Sequence, residues 1–362
     1  MEESFYRRSG EMQCEEVPVG KVVDQVATPF YLYSYSEIVR RFKKFRESLL
    51  GYDGLICYAL KANSSKAVVS LLSQQEAGAD VVSKGELYRA LNAGIPPKKI
   101  VFAGVGKTEE DIRYALRNEI LGLNVESLSE LDTIEEVAAA LSTTAPVAIR
   151  VLPDIESSTH PYLSTGVRSS KFGVARDRVV RAYRRIVESD LLEAVGLHAH
   201  IGSGIRTIDP YRKLGKFLSD LLEEIKEVGA RLQYVDFGGG FGIIERKNDY
   251  KMVPSPGEFI EALLNGFGPA ADDYRLLIEP GRSIIGPSGV LVGKVVRGKQ
   301  SKEKNFLITD IGMNDFIRPS LYGSYHQLEP VLEHEPGGEE EIFDIVGPVC
   351  ETGDFIARDR KI

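Results

Sequence analysis

Eight short apolar runs alternate with amphipathic segments between residues 55 and 279, and this alternation constrains the fold more than any other feature. Short apolar runs bounded by turn residues are typical of buried strands, and the segments between them have the apolar spacing of helices. Repeated β-then-α units predict an α/β protein with a (β/α)8 TIM-like barrel, and a doubly wound open sheet is the alternative. The eight runs are Leu55–Leu60, Gly78–Val82, Ile100–Ala103, Leu121–Val125, Val147–Val151, Val195–His200, Leu232–Asp236 and Leu276–Glu279.

The helical rhythm ends near Ser283, and the later runs are strand-like without helices between them. The sequence therefore predicts a barrel over residues 34–283 and a second, mainly β domain over 284–362. A strand-like aromatic stretch near Tyr31 indicates that the N-terminal segment, residues 1–33, joins the β domain. The later strand-like runs are Val290–Val296, Phe306–Thr309 and Ile342–Val346.

The amino-acid composition indicates which kinds of protein and partner are disfavoured. The 362 residues are 43% hydrophobic and 27% charged with a net charge of −8, which is typical of a globular protein and disfavours nucleic acid or anionic membrane as partner. The three cysteines, Cys14, Cys57 and Cys350, are too widely spaced for a disulfide framework. The sequence has no signal-peptide pattern and no apolar run long enough to span a membrane, so we expect a cytoplasmic protein.

Lys61 directly follows the first apolar run. An amine at the end of a buried strand is partly shielded from water, which predicts a lowered pKa and the ability to form a Schiff base with a carbonyl compound. On this stretch alone, a surface lysine just past a strand is the simpler interpretation. Whether Lys61 is a reactive amine or a surface lysine therefore depends on the other residues at the same end of the barrel.

Two glycine-containing loops follow the last two predicted strands. Gly238, Gly239 and Gly240 come after the seventh run, and Gly281 with Arg282 comes after the eighth. Barrels often bind phosphate at these two loops, and glycine lets backbone N–H groups approach an anion closely. A tight turn is the structural alternative for the glycine run, but its position favours a phosphate site.

The sixth and eighth runs bring further polar groups to the predicted rim. We expect one of His198 and His200 to pack against helices and the other to face the barrel mouth, where an imidazole can stack on a flat ring. With five histidines in the chain and no second spaced pair, a metal hydrolase site is short of ligands. Glu279 is a carboxylate that needs a cation or a protonated ring nitrogen as partner. A lysine, a phosphate cradle, an imidazole and a carboxylate are the partners that pyridoxal phosphate requires.

From about Pro29 to Arg358 the chain resembles the fold-type III pyridoxal-phosphate-dependent decarboxylases, above all those that act on diaminopimelate. The resemblance implies an alanine racemase-like pairing of barrel and β domain with bound pyridoxal 5'-phosphate. It also implies a carboxy-lyase that converts meso-2,6-diaminopimelate to L-lysine and CO₂, the last step of lysine biosynthesis. The motifs that carry it are Tyr58–Asn63, Gly78–Leu87, Thr165-Gly166 with Ser170–Gly173, His198–Ser203, Glu279–Ser283, Met313–Tyr322 and Gly347–Asp354.

The resemblance also implies roles for individual residues. Lys61 would attach the cofactor, His200 would stack on its ring, and Cys350 would protonate the product carbanion. The other cofactor-binding residues would be Asp80, Ser203, Gly238, Gly239, Gly240, Glu279 at the pyridine nitrogen, Gly281 and Arg282. Substrate carboxylate would be held by Arg282, Arg318 and Tyr322, and the distal ammonium by Glu351. Cys350 and Glu351 enter the site from the partner subunit in this family, so a homodimer is implied; no metal is.

Members of this family continue for several tens of residues beyond the position that matches Ile362, so we expect the β domain to be truncated at its C-terminus. Three alternatives to the expected activity stay open. The chain could decarboxylate another basic amino acid, namely ornithine, lysine, arginine or carboxynorspermidine. It could bind the cofactor without full activity, or, more remotely, it could be a barrel hydrolase that uses a metal at His198 and His200.

Overall fold

The computed structural model describes residues 4–156, 170–245, 253–333 and 340–362. The described residues divide into two compact units. The barrel unit runs from Val39 to Ile243 and includes the later described residues up to Gly286, and the β unit holds the residues up to Ile38, Ile244 with Glu245, and the chain from Pro287 on. The boundaries after residues 33 and 283 stay predictions, although Ile244 and Glu245, which the sequence assigned to the barrel, are grouped with the β unit.

Four short strands of the β unit come first in the chain. They are β1 (Phe5–Arg8), β2 (Glu11–Cys14), β3 (Val17–Pro18) and β4 (Phe30–Tyr33). The first three form an antiparallel sheet that the sequence analysis did not predict.

The predicted barrel is confirmed. Eight parallel strands follow one another around a closed ring, because the last pairs with the first through Ile278 and Ile56. These strands are β5 (Gly54–Ala59), β6 (Gly78–Val81), β7 (Ile100–Phe102), β8 (Gly122–Val125), β9 (Ala145–Leu152), β11 (Leu192–Ala199), β12 (Tyr234–Asp236) and β13 (Arg275–Ile278). A two-residue strand, β10 (Val174–Ala175), pairs with β9 alone.

In the described part of the chain, the seven helices between the barrel strands lie where the amphipathic segments predict them. Three short helices were not predicted, and one of them, Arg318–Tyr322, lies among the later strands, where no helix was expected. Serine or threonine caps open most helices of the barrel unit, and Ser65, Ser83, Thr108, Ser127 and Ser255 each accept a backbone N–H bond from the first turn. The helices are α1 (Val19–Val23), α2 (Tyr35–Glu47), α3 (Lys66–Gln74), α4 (Lys84–Asn92), α5 (Glu109–Arg117), α6 (Leu128–Leu141), α7 (Arg176–Glu188), α8 (Asp209–Glu227), α9 (Pro256–Phe267), α10 (Arg282–Ile285) and α11 (Arg318–Tyr322). Among the described residues, no helix combines the length and the apolar character needed to cross a membrane.

A packed layer fills the barrel interior below its C-terminal rim. Its largest member is Tyr234, and the strands beside it carry glycines: a Cβ at Gly196 would lie 2.3 Å from the tyrosine ring and one at Gly122 would lie 2.4 Å from the hydroxyl oxygen. Close packing of this kind makes the barrel a solid core rather than a pore. Polar side chains are therefore collected at the C-terminal rim. The layer contains Leu55, Cys57, Val101, Ala148, Val195, Tyr234 and Leu277.

The rest of the β unit consists of two further sheets. β4 pairs antiparallel with β14 (Gly289–Val292), so the aromatic strand near Tyr31 does join the later strands. The second sheet has the order β15 (Val295–Gln300), β16 (Asn305–Thr309), β17 (Ile342–Val346) and β18 (Phe355–Lys361), with β16 and β17 parallel. The predicted second, mainly β domain is confirmed, and β18 is a strand that the sequence analysis missed.

A glycine contact between α8 and α9 gives a test of the barrel packing. A Cβ on Gly215 of α8 would lie 2.2 Å from the carbonyl oxygen of Leu263 in α9. We therefore expect Gly215→Ala to lower the free energy of unfolding by about 1 to 3 kcal/mol, although alanine is the better helix former by about 1 kcal/mol. Gly257→Ala in α9 is the matched control, because the nearest atom to its Cβ is 3.9 Å away. Urea unfolding of both variants checks this, and equal stability of the two would contradict it.

Candidate active site

Lys61 lies on a short 3-10 turn, Leu60–Ala62, directly after β5. Its ammonium forms an ion pair with the carboxylate of Asp80, the third residue of β6. The lysine side chain is half-exposed, whereas Asp80 is completely buried. The lysine is thus held at the rim by a carboxylate on the neighbouring strand.

The prediction of a lowered pKa for Lys61 was wrong. Burial lowers the pKa of the amine, but the negative charges of Asp80 and Glu279 outweigh it, and the net pKa is raised. The sequence around Lys61 indicates the loss of water but not the carboxylates that the barrel brings to the same place. The amine of Lys61 is therefore protonated in the cofactor-free protein.

Glu279 follows β13 and is buried beside His198 of β11. The His198 Nε2 atom lies 3.5 Å from Glu279 Oε2, and both side chains are almost inaccessible to water. Burial raises the pKa of Glu279, but the neighbouring His198 and Lys61 lower it by more, so the net pKa lies below its usual range. Glu279 is therefore an ionised carboxylate within the barrel.

His200 comes one residue after the end of β11. Its Nδ1 accepts a hydrogen bond of 3.1 Å from the backbone N–H of Gly239. Burial, reinforced by the positive charge of Arg150, lowers the pKa of His200 from 6.5 to about 3. The imidazole is therefore neutral, with its proton on Nε2, and presents an uncharged ring.

The expectation that one histidine packs against helices was wrong. His198 contacts Glu279 and His200 contacts the glycine loop, so both belong to the barrel rim. Residues two apart on a strand share a face, and the expectation had placed them on opposite faces.

The glycine loop after β12 is built for close backbone approach. Gly238 and Gly240 have φ of +68° and +87°, and a Cβ on Gly240 would lie 1.8 Å from the carbonyl oxygen of Gly202. The backbone N–H of Gly204 donates to the Gly240 carbonyl over 2.9 Å. The N–H of Gly238 donates to Asp236 and that of Gly239 to His200. These two amides are thus used within the protein, and the glycines serve to bring two loops together.

Gly281 and Arg282 approach the same place from the loop after β13. Gly281 precedes α10, and its ideal Cβ would lie 3.0 Å from the Cβ of Ala59. The Arg282 guanidinium reaches the β11 loop, where Nη2 lies 2.8 Å from the position of a Cβ on Gly204. Ser203 is the residue before Gly204 in that loop. The structure thus brings together the loops that carry every residue predicted to surround phosphate.

The other four predicted residues belong to the β unit. Arg318 and Tyr322 are the first and last residues of α11, and the guanidinium carbon lies 5.4 Å from the centre of the tyrosine ring. Arg318 Nη2 also lies 3.7 Å from Glu245 Oε1. Cys350 and Glu351 are exposed in the loop between β17 and β18.

Asp354 joins the two segments of the β unit that carry these residues. Its buried carboxylate accepts the N–H of Met313 over 2.6 Å and that of Val349 over 2.7 Å. The Ser320 hydroxyl donates to the Gly353 carbonyl over 2.7 Å. In the sequence Asp354 is only the last residue of the Gly347–Asp354 motif, and no signal there indicates this bridging position.

Sequence analysis also missed a buried ion pair at the rim. Arg150 of β9 donates through Nη1 to Glu126 Oε1 over 2.8 Å, and its guanidinium carbon lies 4.5 Å from the centre of the Phe172 ring. Glu126 Oε2 also accepts the N–H of Gly173 over 2.9 Å. An arginine inside an apolar run was the available signal. The pair holds the Ser170–Gly173 motif, while Thr165-Gly166 lies outside the described residues.

Comparison with known proteins identifies relatives of the whole chain. Residues 35–286 match the family described as pyridoxal-dependent decarboxylase, pyridoxal binding domain. The chain is 44% identical over 356 residues to diaminopimelate decarboxylase of Aquifex aeolicus, covering 98% of this chain and 83% of that protein. The corresponding enzyme of Vibrio cholerae is 40% identical over 357 residues, with coverage of 99% and 84%.

Solved structures give the same relationship. The crystal structure of diaminopimelate decarboxylase from M. jannaschii in complex with L-lysine has a TM-score of 0.91 and 34% identity, with 99% of this chain and 84% of that chain covered. The Helicobacter pylori enzyme complexed with L-lysine has a TM-score of 0.87 and 39% identity, with coverage of 95% and 84%.

The low pKa of His200 predicts acid sensitivity. The unfolded chain binds a proton at this histidine below pH 6.5, whereas the folded state resists protonation down to about 3. The contribution of His200 is therefore complete above about pH 6.5 and is lost as the pH falls. Between about pH 7.5 and about pH 5.5 the loss is about 1.4 kcal/mol. Urea unfolding of the cofactor-free protein should show this extra loss relative to His200→Asn, and equal pH slopes would contradict the neutral imidazole.

Proposed function

The chain belongs to the family of pyridoxal-dependent decarboxylases that includes the diaminopimelate decarboxylases, and we propose that it converts meso-2,6-diaminopimelate to L-lysine and CO₂. The observation that carries the proposal is the meeting of Lys61, His200 and Glu279 at one rim of a barrel whose nearly full-length relatives are diaminopimelate decarboxylases. Relatives solved with L-lysine bound support the identity of the product.

The rim residues fit pyridoxal phosphate. Lys61 offers an amine to an aldehyde, and the ionised Glu279 offers a carboxylate to a protonated ring nitrogen. The neutral His200 offers an imidazole face without placing a second positive charge beside that ring. The Arg282 guanidinium offers a cation to the phosphate, and it lies at the β11 loop, where its Nη2 is 2.8 Å from the position of a Cβ on Gly204. When bound, pyridoxal phosphate supplies the electron sink for the pair left by departing CO₂.

We assign Asp80 two functions at Lys61, namely to orient the amine and to accept a proton from it. It orients the amine through their ion pair, and it receives electrostatic compensation in return, since a completely buried carboxylate without a cation is costly. The Lys61 Nζ atom has to lose a proton before it can form a covalent bond to an aldehyde. Asp80 is the nearest carboxylate to accept that proton, and burial together with the charge of Glu279 raises its pKa.

We assign five residues to the substrate. Arg318, Arg282 and Tyr322 bind carboxylate, for which the planar guanidinium is suited. Glu351 binds the distal ammonium, and the Cys350 thiol delivers a proton to the carbon that has lost CO₂. Asp354 and Ser320 fix the spacing of the loops that carry these groups.

We also propose a cytoplasmic homodimer in which Cys350 and Glu351 act in the partner's site. Both residues are exposed in this chain, so both are accessible to a second subunit. The three cysteines are free thiols, which suits a reducing compartment.

Substrate comparison tests the activity. Purified protein with added pyridoxal phosphate should release CO₂ from meso-diaminopimelate and not from ornithine, lysine or arginine. Lys61→Ala should lower the rate by at least about a hundredfold, because no other residue takes its place at the aldehyde. Release from another of these amino acids, or none despite bound cofactor, would contradict the proposed substrate.

Hybrid dimers test the shared site. Coexpressed Lys61→Ala and Cys350→Ala chains should recover about a quarter of the wild-type activity, since half of the randomly assembled dimers have one intact site. The control pairs Lys61→Ala with Glu279→Gln, whose residues belong to one barrel, so every site keeps a defect and no recovery is expected. A shared site is ruled out if the first pair stays as inactive as the control.

A further inference from the structure

Three polar side chains form a buried cluster at the end of the barrel interior. His198 lies on β11, Asp236 is the last residue of β12, and Glu279 follows β13. Their exposures are 1%, 0% and 5%, and one ligand atom of each lies within 4.8 Å of the other two. The proposed mechanism assigns no role to Asp236.

If both carboxyl groups of this cluster are ionised, some of their oxygen atoms have no hydrogen-bond donor. Asp236 Oδ1 accepts the N–H of Gly238 over 2.9 Å. Asp236 Oδ2 and Glu279 Oε1 are both inaccessible to water and have no donor among the described residues. Ionised carboxylates are acceptors only, so the two groups cannot satisfy each other without a proton between them. Two unshielded negative charges this close in a dry site would also repel strongly.

We propose that Asp236 is a neutral acid that donates its proton to Glu279, so that the pair carries one negative charge and Asp236 acts as a positioning residue for Glu279. The consequence is that Glu279 stays ionised and is held toward the ring nitrogen of the cofactor. Only this consequence rests on the proposed function. The pair also links two loops, because Glu279 donates its backbone N–H to the Gly238 carbonyl over 2.8 Å.

The groups around the pair explain which carboxyl keeps the proton. Burial and the negative charge of Glu279 raise the pKa of Asp236 well above its usual range, and Asp80 of β6 acts in the same direction. Burial raises the pKa of Glu279, but its interactions with His198 and with the ammonium of Lys61 lower it by more. Asp80 is already paired with Lys61, so it does not compete for this proton. Among the other titratable neighbours, Cys57 of β5 and Tyr234 of β12 have raised pKa values that keep them uncharged, and His200 has a lowered pKa that keeps it neutral.

A bound cation is the competing way to satisfy the same oxygen atoms, since one histidine and two carboxylates are a possible ligand set. We favour the proton because Lys61 already contributes a positive charge to this cluster, and a divalent ion beside it would be repelled. A proton on Asp236 also gives both unpaired oxygen atoms a hydrogen-bond partner.

Infrared spectroscopy on the cofactor-free protein tests the proton directly. The wild type at neutral pH should show the carbonyl band of a buried protonated carboxylic acid, and Asp236→Asn should lose it. Asp80→Asn is the matched control, a buried aspartate at the same rim whose replacement should leave the band in place. A wild type without the band, or one that holds a stoichiometric metal ion, would overturn the proposal. This result does not depend on the substrate, so it separates failure of this inference from failure of the proposed function.

Two substitutions of Asp236 test its effect on the loaded enzyme. An asparagine keeps a neutral donor for Glu279, so Asp236→Asn should keep kcat within about threefold of the wild type. Asp236→Leu removes the donor, and we expect kcat to fall by about tenfold to a hundredfold with little change in KM. The pH midpoint of the visible absorbance of the cofactor should move in the leucine variant only. If the folded asparagine variant loses kcat by tenfold or more, Asp236 acts through a charge and the proposal is wrong.

Discussion

Closure of the parallel sheet is the constraint on which the rest of the barrel unit depends. β13 pairs with β5 and β8 pairs with β9, so eight strand ends that are far apart in sequence become neighbours on one ring. Below the rim, Tyr234 and the side chains packed around it fill the barrel interior. The ends of the strands are therefore the place where Lys61, Asp80 and Glu279 can meet. The fold produces the site because closure of the sheet brings these side chains together, and the packed interior confines them to the C-terminal rim.

Collecting so many charged groups at one rim requires that they neutralise one another. Asp80 is paired with Lys61, and Glu279 lies beside His198. On the far side of the rim, Arg150 is paired with Glu126 and Lys107 with Glu130, and all four of these side chains are almost completely buried. Buried pairs of this kind add little stability in themselves, but removal of one partner leaves an uncompensated charge. Each pair therefore fixes the position of its two side chains at the rim.

The β unit organises its functional loops by hydrogen bonds to a single carboxylate. Asp354 accepts backbone N–H groups from the segment before α11 and from the segment before Cys350. The spacing of the loops that carry the residues assigned to substrate is thus fixed by Asp354, and Cys350 and Glu351 on one of these loops are exposed. The similarity to diaminopimelate decarboxylases extends over both units, since the matched region covers 98% of this chain in the Aquifex aeolicus comparison.

The sequence by itself determined the eight strands, the helices between them and the residues that end the strands, because these follow from local periodicity. It left an open sheet as the alternative to the barrel, and the pairing of the last strand with the first decided between them. The sequence also determined the resemblance that names the cofactor. Only the tertiary structure decided the protonation of those residues: Lys61 has a raised pKa and not a lowered one, because Asp80 and Glu279 come from other strands. The same holds for Asp236, Arg150 and Asp354, whose partners are distant in sequence. Electrostatic energy depends on distances through space, and a linear pattern of residues does not contain those distances.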